Sequence, residues 1–305
     1  MEIRVLEYFL AVARTQNISA AAQSLHLSQP TLSVQLRALE KELGKQLLIR
    51  GTKGSRKVTL TDEGRLLQKR GEEIISMVRK TENEIMYSDD MVSGDIYIGA
   101  GETDLVRLIA RSAKSLQKKY PGICYHILSG NADFVMERLD QGLIDIAILY
   151  DSVDIARYDS LRIPLPDTWG VLMPADSDLA QKAAVTAADL ADKPLILSQQ
   201  KNQETDLKDW FGTDISSLNV AATYNLIYNG SLLADEGLGY AICLDKLINT
   251  RGSTLCFRPL SPALQATAYI VRKKHQIFSK AAEIFMKKLE DEIGTFCIKT
   301  DKQRL

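Results

Sequence analysis

The spacing of apolar residues predicts three short helices at the start of the chain. A first helix carries its apolar residues on one face and ends near Asn17. Ser19 is the expected N-cap of a second helix, which runs through three alanines to Leu25, and Ser28 is the expected N-cap of a third. The residues on the apolar face of the first helix are Ile3, Leu6, Phe9, Leu10 and Ala13.

The third helix has one apolar and one polar face. Pro30 falls in its first turn, where the missing N–H costs nothing. At 100° per residue, one stripe is formed by Leu32, Leu36, Leu39 and Leu43, and the opposite face by Pro30, Ser33, Val34, Arg37 and Lys41. The alanine-rich helix, a turn at His26–Ser28 with a buried Leu27, and this third helix together predict a helix-turn-helix.

A basic hairpin and a long helix follow. Two apolar runs flank the segment Gly51–Lys57, which is typical of a hairpin with cations at its tip. Thr61 is the expected N-cap of a helix that continues to about Ser88. A small domain cannot bury the apolar stripe of so long a helix, so we expect it to pack against a second copy of the chain.

From residue 94 onward, strand and helix patterns alternate, which indicates two α/β units of parallel type. The predicted strands are 94–101, 122–128, 143–150, 169–174, 194–198, 218–224, 239–244 and 266–273. The predicted helices are 103–119, 131–141, 186–193, 203–211, 229–236 and 277–292.

Charge is distributed unevenly along the chain. The 305 residues carry a formal net charge of −1, yet residues 1–57 contain nine Lys or Arg and four Glu. A basic N-terminal region on an acidic body is expected when only that region contacts a polyanion. The first residues include acids and lack the apolar core of a signal peptide, and no run is long enough to span a membrane, so we expect a cytoplasmic protein without membrane contact.

The sequence offers no catalytic or metal-binding motif. The spacing of Cys124, Cys243, Cys256 and Cys297 matches no zinc motif, and we expect buried thiols in a reducing compartment, with a redox switch as the minority alternative. The three histidines are isolated in sequence, and no nucleophile–base set can be assembled. These observations argue against an enzyme and predict no metal and no cofactor.

The segments "LEYFLAVARTQNISAAAQSLHLSQPTLSVQLRALEKELGKQLLIR" and "VTLTDEG" resemble the N-terminal signature of LysR-type transcriptional regulators. The segments "GDIYIGAGETD", "YPGICYHILSG", "RLDQGLIDIAIL", "DLADKPLIL" and "DEGLGYAIC" resemble the effector domain of the same family, so the resemblance covers essentially the whole chain. It implies an α/β protein with an N-terminal all-α winged helix-turn-helix, and an effector domain of two Rossmann-like subdomains resembling periplasmic binding proteins.

The resemblance also implies the organisation of the chain and its partners. Residues 1–60 would form the DNA-binding domain, 61–90 the linker and dimerisation helix, and 91–305 the effector-binding domain. Subdomain I would comprise about 91–163 and 266–305, and subdomain II about 164–265. The implied partners are double-stranded promoter DNA, a small-molecule effector of unknown identity, and the chain itself as a dimer or tetramer, with RNA polymerase as a further candidate.

Roles in DNA binding follow position by position from the resemblance. Gln29 pairs with adenine, Arg37 contacts guanine or phosphate, and Pro30 touches a thymine methyl. Val34 stands where the family often has arginine, so we expect an apolar contact in place of a cation. The residues expected to cap, donate to or neutralise phosphates are Ser28, Thr31, Ser33, Arg50, Lys53, Arg56 and Lys57, which predicts an affinity that falls steeply with salt.

The implied effector cleft lies at the carboxyl ends of strands. Its expected lining residues are Gly101, Glu102, Thr103, Ser129, Asn131, Tyr150, Ser198, Gln199, Gln200, Asn225 and Tyr228. Thr103 is at a helix N-terminus, which favours anions. Many relatives have a serine at the position of Gly101, and here Glu102 adds a negative charge. Either Glu102 points outward or the ligand is not a simple carboxylate.

Two other functions compete with an effector-responsive transcription factor. Residues 94–297 alone would also suit a small-molecule binding or transport protein, and an α/β body is common among enzymes. The basic N-terminal region argues against the first, and the lack of a nucleophile–base set argues against the second.

Overall fold

The computed structural model describes residues 1–51, 57–86, 92–150, 156–199 and 201–302. Three of the predicted site residues, Lys53, Arg56 and Gln200, lie outside these ranges. The chain divides into two compact units, Met1–Ile85 and Met86–Leu305. Among the described helices, none is both long enough and apolar enough to cross a membrane.

The first unit is a helical domain with a two-stranded hairpin. Its core is formed where the apolar faces of the first three helices meet, with Leu6, Phe9, Leu32 and Leu36 each almost fully buried. The elements are α1 (Ile3–Thr15), α2 (Ile18–Ser24), α3 (Gln29–Leu43), β1 (Leu48–Arg50), β2 (Val58–Leu60) and α4 (Asp62–Met86).

Side-chain caps define the starts of these helices. Ser28 Oγ accepts a hydrogen bond from Thr31 N at 3.2 Å, and Thr61 Oγ1 accepts one from Gly64 N at 3.0 Å, so both predicted caps are confirmed. The prediction of Ser19 as the cap of α2 is wrong. Asn17 takes that position, because its Oδ1 accepts from the N–H groups of the first turn, at 2.9 and 3.1 Å.

Three residues predicted to be buried in this unit are not. Ile3 is 43% exposed in the first turn of α1, and Leu43 is 42% exposed at the last position of α3. Leu27, in the turn between α2 and α3, is only half-buried. Two of the three stand at helix ends, where the neighbouring helices no longer cover the apolar stripe.

The second unit contains eleven strands and six helices among the described residues. The strands are β3 (Gly94–Ala100), β4 (Ile123–Ser129), β5 (Ile146–Leu149), β6 (Tyr158–Arg162), β7 (Asp167–Pro174), β8 (Leu195–Ser198), β9 (Val220–Tyr224), β10 (Tyr240–Leu244), β11 (Leu255–Pro259), β12 (Gln265–Ala266) and β13 (Tyr269–Lys273). The helices are α5 (Val106–Gln117), α6 (Ala132–Asp140), α7 (Ala187–Leu190), α8 (Lys201–Phe211), α9 (Ile227–Asp235) and α10 (Lys280–Lys302), with 3₁₀ turns at Asp178–Gln181 and Ile215–Ser217.

These strands form two sheets, one for each subdomain. The sheet of subdomain I has the order β4-β3-β5-β13-β6, and that of subdomain II has the order β11-β7-β10-β8-β9, with β12 also paired to β7. The β3–β4, β3–β5, β8–β9 and β8–β10 pairs are parallel, as expected for α/β units. The chain enters and ends in subdomain I, so subdomain II is an insertion.

The two crossings between subdomains run beside each other. Ile163 N, at the outgoing crossing, donates to Ala268 O on the returning one at 2.9 Å. Strand β12 on the return pairs with the start of β7 on the way out, with Ala266 opposite Asp167. This antiparallel pair of segments connects the two subdomains, and we refer to it as the hinge.

The sequence pattern missed β6, β11 and β12. These are short strands paired antiparallel to a neighbour, and their residues are mostly half-exposed, so no apolar run marks them. The final helix begins at Lys280 rather than 277, and the first helix of the unit begins at Val106 rather than 103. Cys243 is buried as expected, whereas Cys124 is exposed and Cys256 is half-buried, and the side chain of Cys297 lies outside the described part.

Candidate DNA-recognition face and effector cleft

The outer face of α3 is exposed because the opposite face of the helix is buried in the core. Leu32, Leu36 and Leu39 anchor the helix in the core, and consequently Val34 and Arg37 point away from it. Val34 is 60% exposed. Ser28, Gln29, Pro30, Thr31 and Lys41 are exposed as well. The N-terminal half of α3 therefore offers short polar and apolar side chains to a groove, and Arg37 offers a cation one turn later.

Two side chains of this face bond to each other. Gln29 Nε2 donates to Ser33 Oγ at 2.8 Å, and Ser33 is buried, contrary to its predicted place on the outer face. The reason is its position next to Leu32, at the edge of the stripe that faces the core. The Ser28 and Thr31 hydroxyls are likewise hydrogen-bonded to each other, at 2.7 Å. These bonds orient the first turn of the helix before any DNA is present.

Glu40 connects α3 to the hairpin. Its Oε1 accepts from Leu47 N at 2.9 Å and Leu48 N at 3.0 Å, and its Oε2 pairs with Arg50 Nη2 at 3.0 Å. The carboxylate thus fixes β1 against the recognition helix and holds Arg50 in place. Arg50 lies opposite Val58 in the hairpin, and Lys57 is exposed at the base of the tip.

A cavity of about 30 Å³ lies between the two subdomains of the second unit. It is at the carboxyl ends of β3, β8 and β9, where open α/β sheets bind ligands. Its lining comes from both subdomains: Gly101, Glu102, Tyr150, Trp169, Ser198, Tyr224, Asn225, Ile227, Leu244 and Leu247.

A buried carboxylate organises one wall of this region. Asp167 Oδ2 accepts a hydrogen bond from Thr103 Oγ1 at 2.7 Å and another from the Tyr150 hydroxyl. Burial, followed by the charge of Asp167, raises the pKa of Tyr150 far above its ordinary value, so the phenol stays protonated and donates. The Thr103 hydroxyl also accepts from Leu105 N at 3.0 Å, which orders the start of α5.

Glu102 points into the cleft. Its carboxylate accepts a hydrogen bond from Ile227 N, the first residue of α9 in the other subdomain. The alternative in which Glu102 points outward is therefore wrong.

The structure brings together some of the predicted cleft residues and separates others. Gly101, Glu102, Tyr150, Ser198 and Asn225 line the cavity. Thr103 and Ser129 line a neighbouring cavity of about 390 Å³, which Gly101 and Glu102 also line. Three other predicted residues are outside both linings and have their own roles: Asn131 caps α6, Gln199 donates to Thr223, and Tyr228 is exposed on α9.

The sequence did not predict Trp169, Tyr224, Ile227, Leu244 and Leu247 of the lining, nor Asp167 beside it. Trp169 and Tyr224 belong to predicted strands. Tyr224 is buried, and its hydroxyl donates a hydrogen bond to Ile242 O at 2.7 Å. Asp167 precedes the predicted strand, and a lone acid at the start of an apolar run was the available signal.

His126 takes part in a polar cluster outside the cleft. Its Nε2 lies 2.9 Å from Asp95 Oδ1, its ring stacks on Tyr97, and Cys124 completes a group of metal-ligand type atoms within 4.8 Å of one another. The histidine is thus held by a hydrogen bond and a ring contact.

Comparison with known families decides what this arrangement is. Residues 3–65 match the model described as bacterial regulatory helix-turn-helix protein, lysR family, and residues 89–294 match the LysR substrate binding domain. The chain belongs to the LysR family. It is a DNA-binding transcriptional regulator with an effector-binding domain, and the predicted fold and function are confirmed. The family consists of regulators rather than enzymes.

Two of the similar LysR proteins extend over nearly the whole chain, and a third over about two thirds of it. The uncharacterized HTH-type transcriptional regulator YvbU of Bacillus subtilis is 26% identical, over 96% of this chain and 99% of its own length. The Hca operon transcriptional activator HcaR of Escherichia coli is 25% identical, over 97% of this chain and 99% of its own length. The OxyR regulator of Escherichia coli is 32% identical over 65% of this chain and 63% of its own length.

Solved structures show the same LysR fold. CbnR, a LysR family transcriptional regulator, superposes with a TM-score of 0.78 at 19% identity, covering 96% of this chain and 99% of its own. Full-length CbnR complexed with its target DNA gives a TM-score of 0.77 at 19% identity, over 96% of this chain and 100% of its own.

Proposed function

We propose that this LysR regulator binds a small-molecule effector in the cleft between its subdomains, and that the bound effector alters promoter binding. The observation that carries the proposal is the cavity lined from both subdomains at the carboxyl ends of their strands. A ligand there contacts both halves at once, so its binding energy depends on the angle between them.

The hinge supplies the means of response. Two adjacent crossings connect the subdomains, and Glu102 and Ile227 bridge the cleft from opposite sides. An effector that replaces or reinforces such a bridge shifts the population between closed and open forms. The shift changes the geometry of the oligomer and hence the spacing of its DNA-recognition helices.

The proposed oligomer forms through α4 of two copies. Leu66, Ile74 and Ile85 of this helix are 61%, 37% and 68% exposed. Apolar side chains in these numbers on one long helix are stabilised by a second copy, which gives a dimer, and pairing of effector domains would extend it to a tetramer. RNA polymerase is the further partner in this proposal, the compartment is the cytoplasm, and no cofactor takes part.

DNA recognition is assigned to the face of α3 and the hairpin. Gln29 would contact adenine after its amide leaves Ser33, and Arg37 would contact a guanine edge or phosphate. The hairpin cations, which include Lys57 and Arg50, would neutralise phosphates. The Glu40–Arg50 ion pair lowers the charge that Arg50 offers to DNA.

A mobility-shift assay with the DNA upstream of the protein's own coding sequence tests DNA binding, and a thermal-shift screen of metabolites then identifies the effector. Small-angle scattering with and without a screened effector tests the change in geometry. A protein that fails to shift DNA at low salt, or that turns over a substrate, would contradict the proposal. Scattering profiles unchanged at saturation would contradict the mechanism alone.

A further inference from the structure

The N-terminus of α9 lacks a cap from its own segment. Its N-cap residue is Leu226, which makes no side-chain capping bond, and the Asn225 side chain bonds to Leu226 N instead of to the helix. A helix start leaves N–H groups unsatisfied and carries a partial positive charge. In this chain, the acceptor comes from across the cleft, where the Glu102 carboxylate binds Ile227 N.

Glu102 therefore occupies the position where a ligand anion would bind. Helix N-termini that face a cavity are anion sites because their N–H groups and the helix dipole both favour negative charge. Ile227 lines the cavity, and the chain's own carboxylate satisfies its N–H. The second candidate anion position, the Thr103 hydroxyl before α5, is bonded to the Asp167 carboxylate in the same way.

The remaining wall suits a positive charge. The residues that line this cavity include one acid, Glu102, and no lysine, arginine or histidine. Glu102 also lines the neighbouring cavity of about 390 Å³, where Arg107 is paired with Asp104 and Lys246 is a further cation. Three aromatic rings contribute to the lining, those of Tyr150, Trp169 and Tyr224. Carboxylates and aromatic faces together are the usual environment of a bound ammonium group. Trp169 Nε1 is buried and has no hydrogen-bond partner among the described residues.

We infer that Glu102 fills the anion position of the cleft as a built-in carboxylate, so the effector is not a carboxylate but a small organic cation that presents an ammonium group to Glu102. The inference rests on the proposed function, since it assigns the chemical class of the cleft ligand. Binding of the cation opens the bridge: the carboxylate leaves Ile227 N and pairs with the ligand. The same residue thereby sets both the specificity of the cleft and its resting contact.

Chemical rescue tests the occupied anion position. Glu102→Ala removes the carboxylate and leaves Ile227 N without an acceptor. Propionate, which replaces the missing group, is expected to raise the Tm of this variant by about 3 °C at about tenfold excess over its Kd and to slow exchange of the Ile227 amide hydrogen. Chloride at equal ionic strength is the control for salt. The matched control variant is Glu236→Ala, which deletes an exposed carboxylate at the other end of α9.

Two probes that share a phenyl ring and carry opposite charges test whether the effector is a cation. Benzylammonium is expected to raise the Tm of the unsubstituted protein and of Glu236→Ala, whereas benzoate is not. In Glu102→Gln the amide oxygen still accepts from Ile227 N, but the negative charge is gone. The affinity for benzylammonium should therefore fall at least about tenfold. This variant retains the cap and so separates a loss of charge from a loss of folding.

Each outcome decides the inference. It is overturned if propionate stabilises Glu102→Ala no more than Glu236→Ala, if benzoate stabilises the unsubstituted protein, or if benzylammonium does not. DNA binding is measured on the same samples by mobility shift. Normal DNA binding with a failed rescue refutes the role of Glu102 and leaves the regulator intact, whereas absence of DNA binding refutes the proposed function itself.

Discussion

The Tyr150 hydroxyl donates a hydrogen bond to the carboxylate of Asp167, and this contact joins the residue after β5 to the first residue of β7. The two belong to different subdomains, and the same carboxylate oxygen also accepts from Thr103 at 2.7 Å. The hinge therefore contains a buried charge with two hydroxyl donors.

Loss of one donor should weaken this hinge. Tyr150→Phe removes one of the two hydroxyl donors to the buried Asp167 carboxylate and leaves Thr103 as the other. We expect the free energy of unfolding to fall by about 1.5 kcal/mol. Urea unfolding measures this. Tyr228→Phe is the matched control, because Tyr228 is 64% exposed and its hydroxyl makes no described hydrogen bond. An equal effect of both substitutions would contradict the assignment.

A positive charge at position 34 should strengthen contacts with the DNA backbone. Val34 is 60% exposed on the outer face of α3. For Val34→Arg we expect tighter binding to DNA of unrelated sequence and a salt slope of log K against log salt that is steeper by about 1.

Fluorescence anisotropy over a range of salt concentrations measures the slope. Ile277→Arg adds the same charge at a residue that is 93% exposed in the second unit. If both substitutions steepen the slope equally, the gain reflects overall charge, and the placement of Val34 at the interface is wrong.

Removal of the Glu40 carboxylate should destabilise the first unit. Leu47 and Leu48 are buried and their N–H groups bond to Glu40, so Glu40→Ala leaves two buried donors without their acceptor. We expect a loss of about 2–4 kcal/mol in the free energy of unfolding. Calorimetry monitors the transition, with Glu82→Ala on the exposed part of α4 as the control. A change within about 0.5 kcal/mol, which is typical of a surface site, would refute the role of Glu40.

The buried thiol of Cys243 should respond to alkaline pH. Burial raises the pKa of this thiol to about 12 in the folded protein, while an unfolded cysteine ionises near about 8.5. The folded state thus favours the neutral form. Its stability is unaffected below the unfolded pKa and falls as pH rises through the interval between the two values.

Between about pH 9 and pH 10, the free energy of unfolding should fall by about 1.4 kcal/mol per pH unit more than that of Cys243→Ala. Iodoacetamide at neutral pH should modify the exposed Cys124 and leave Cys243 unmodified until urea is added. Identical pH profiles of the two proteins would show that the thiol is accessible to ionisation in the folded state.

The sequence predicted what short-range patterns determine. The stripe of Leu32, Leu36 and Leu39 and the capping hydroxyls of Ser28 and Thr61 are local features, and the structure confirms them. The parallel strands were recognisable because strands buried on both faces are continuous apolar runs. Short antiparallel strands such as β6 and β11 carry no such run and depend on their partners.

The cleft was predicted less completely for the same reason. Gly101, Glu102 and Tyr150 follow strands and were expected at its edge. The direction of Glu102 could not be predicted, because its partner Ile227 lies 125 residues further along the chain. Asp167 joins the site through hydroxyl groups from two other segments, and no spacing in the sequence connects them.

Subdomain II begins and ends at the paired crossings, and both the entry strand β3 and the final helix α10 belong to subdomain I. Subdomain II is consequently joined to the rest of the chain at one place, the two adjacent crossings. A homologous segment could be grafted between the crossing near Ile163 and the return near Gln265 without a new junction to the DNA-binding unit. One wall of the cleft could thus diverge in evolution, while Glu102 and the rest of subdomain I are inherited unchanged.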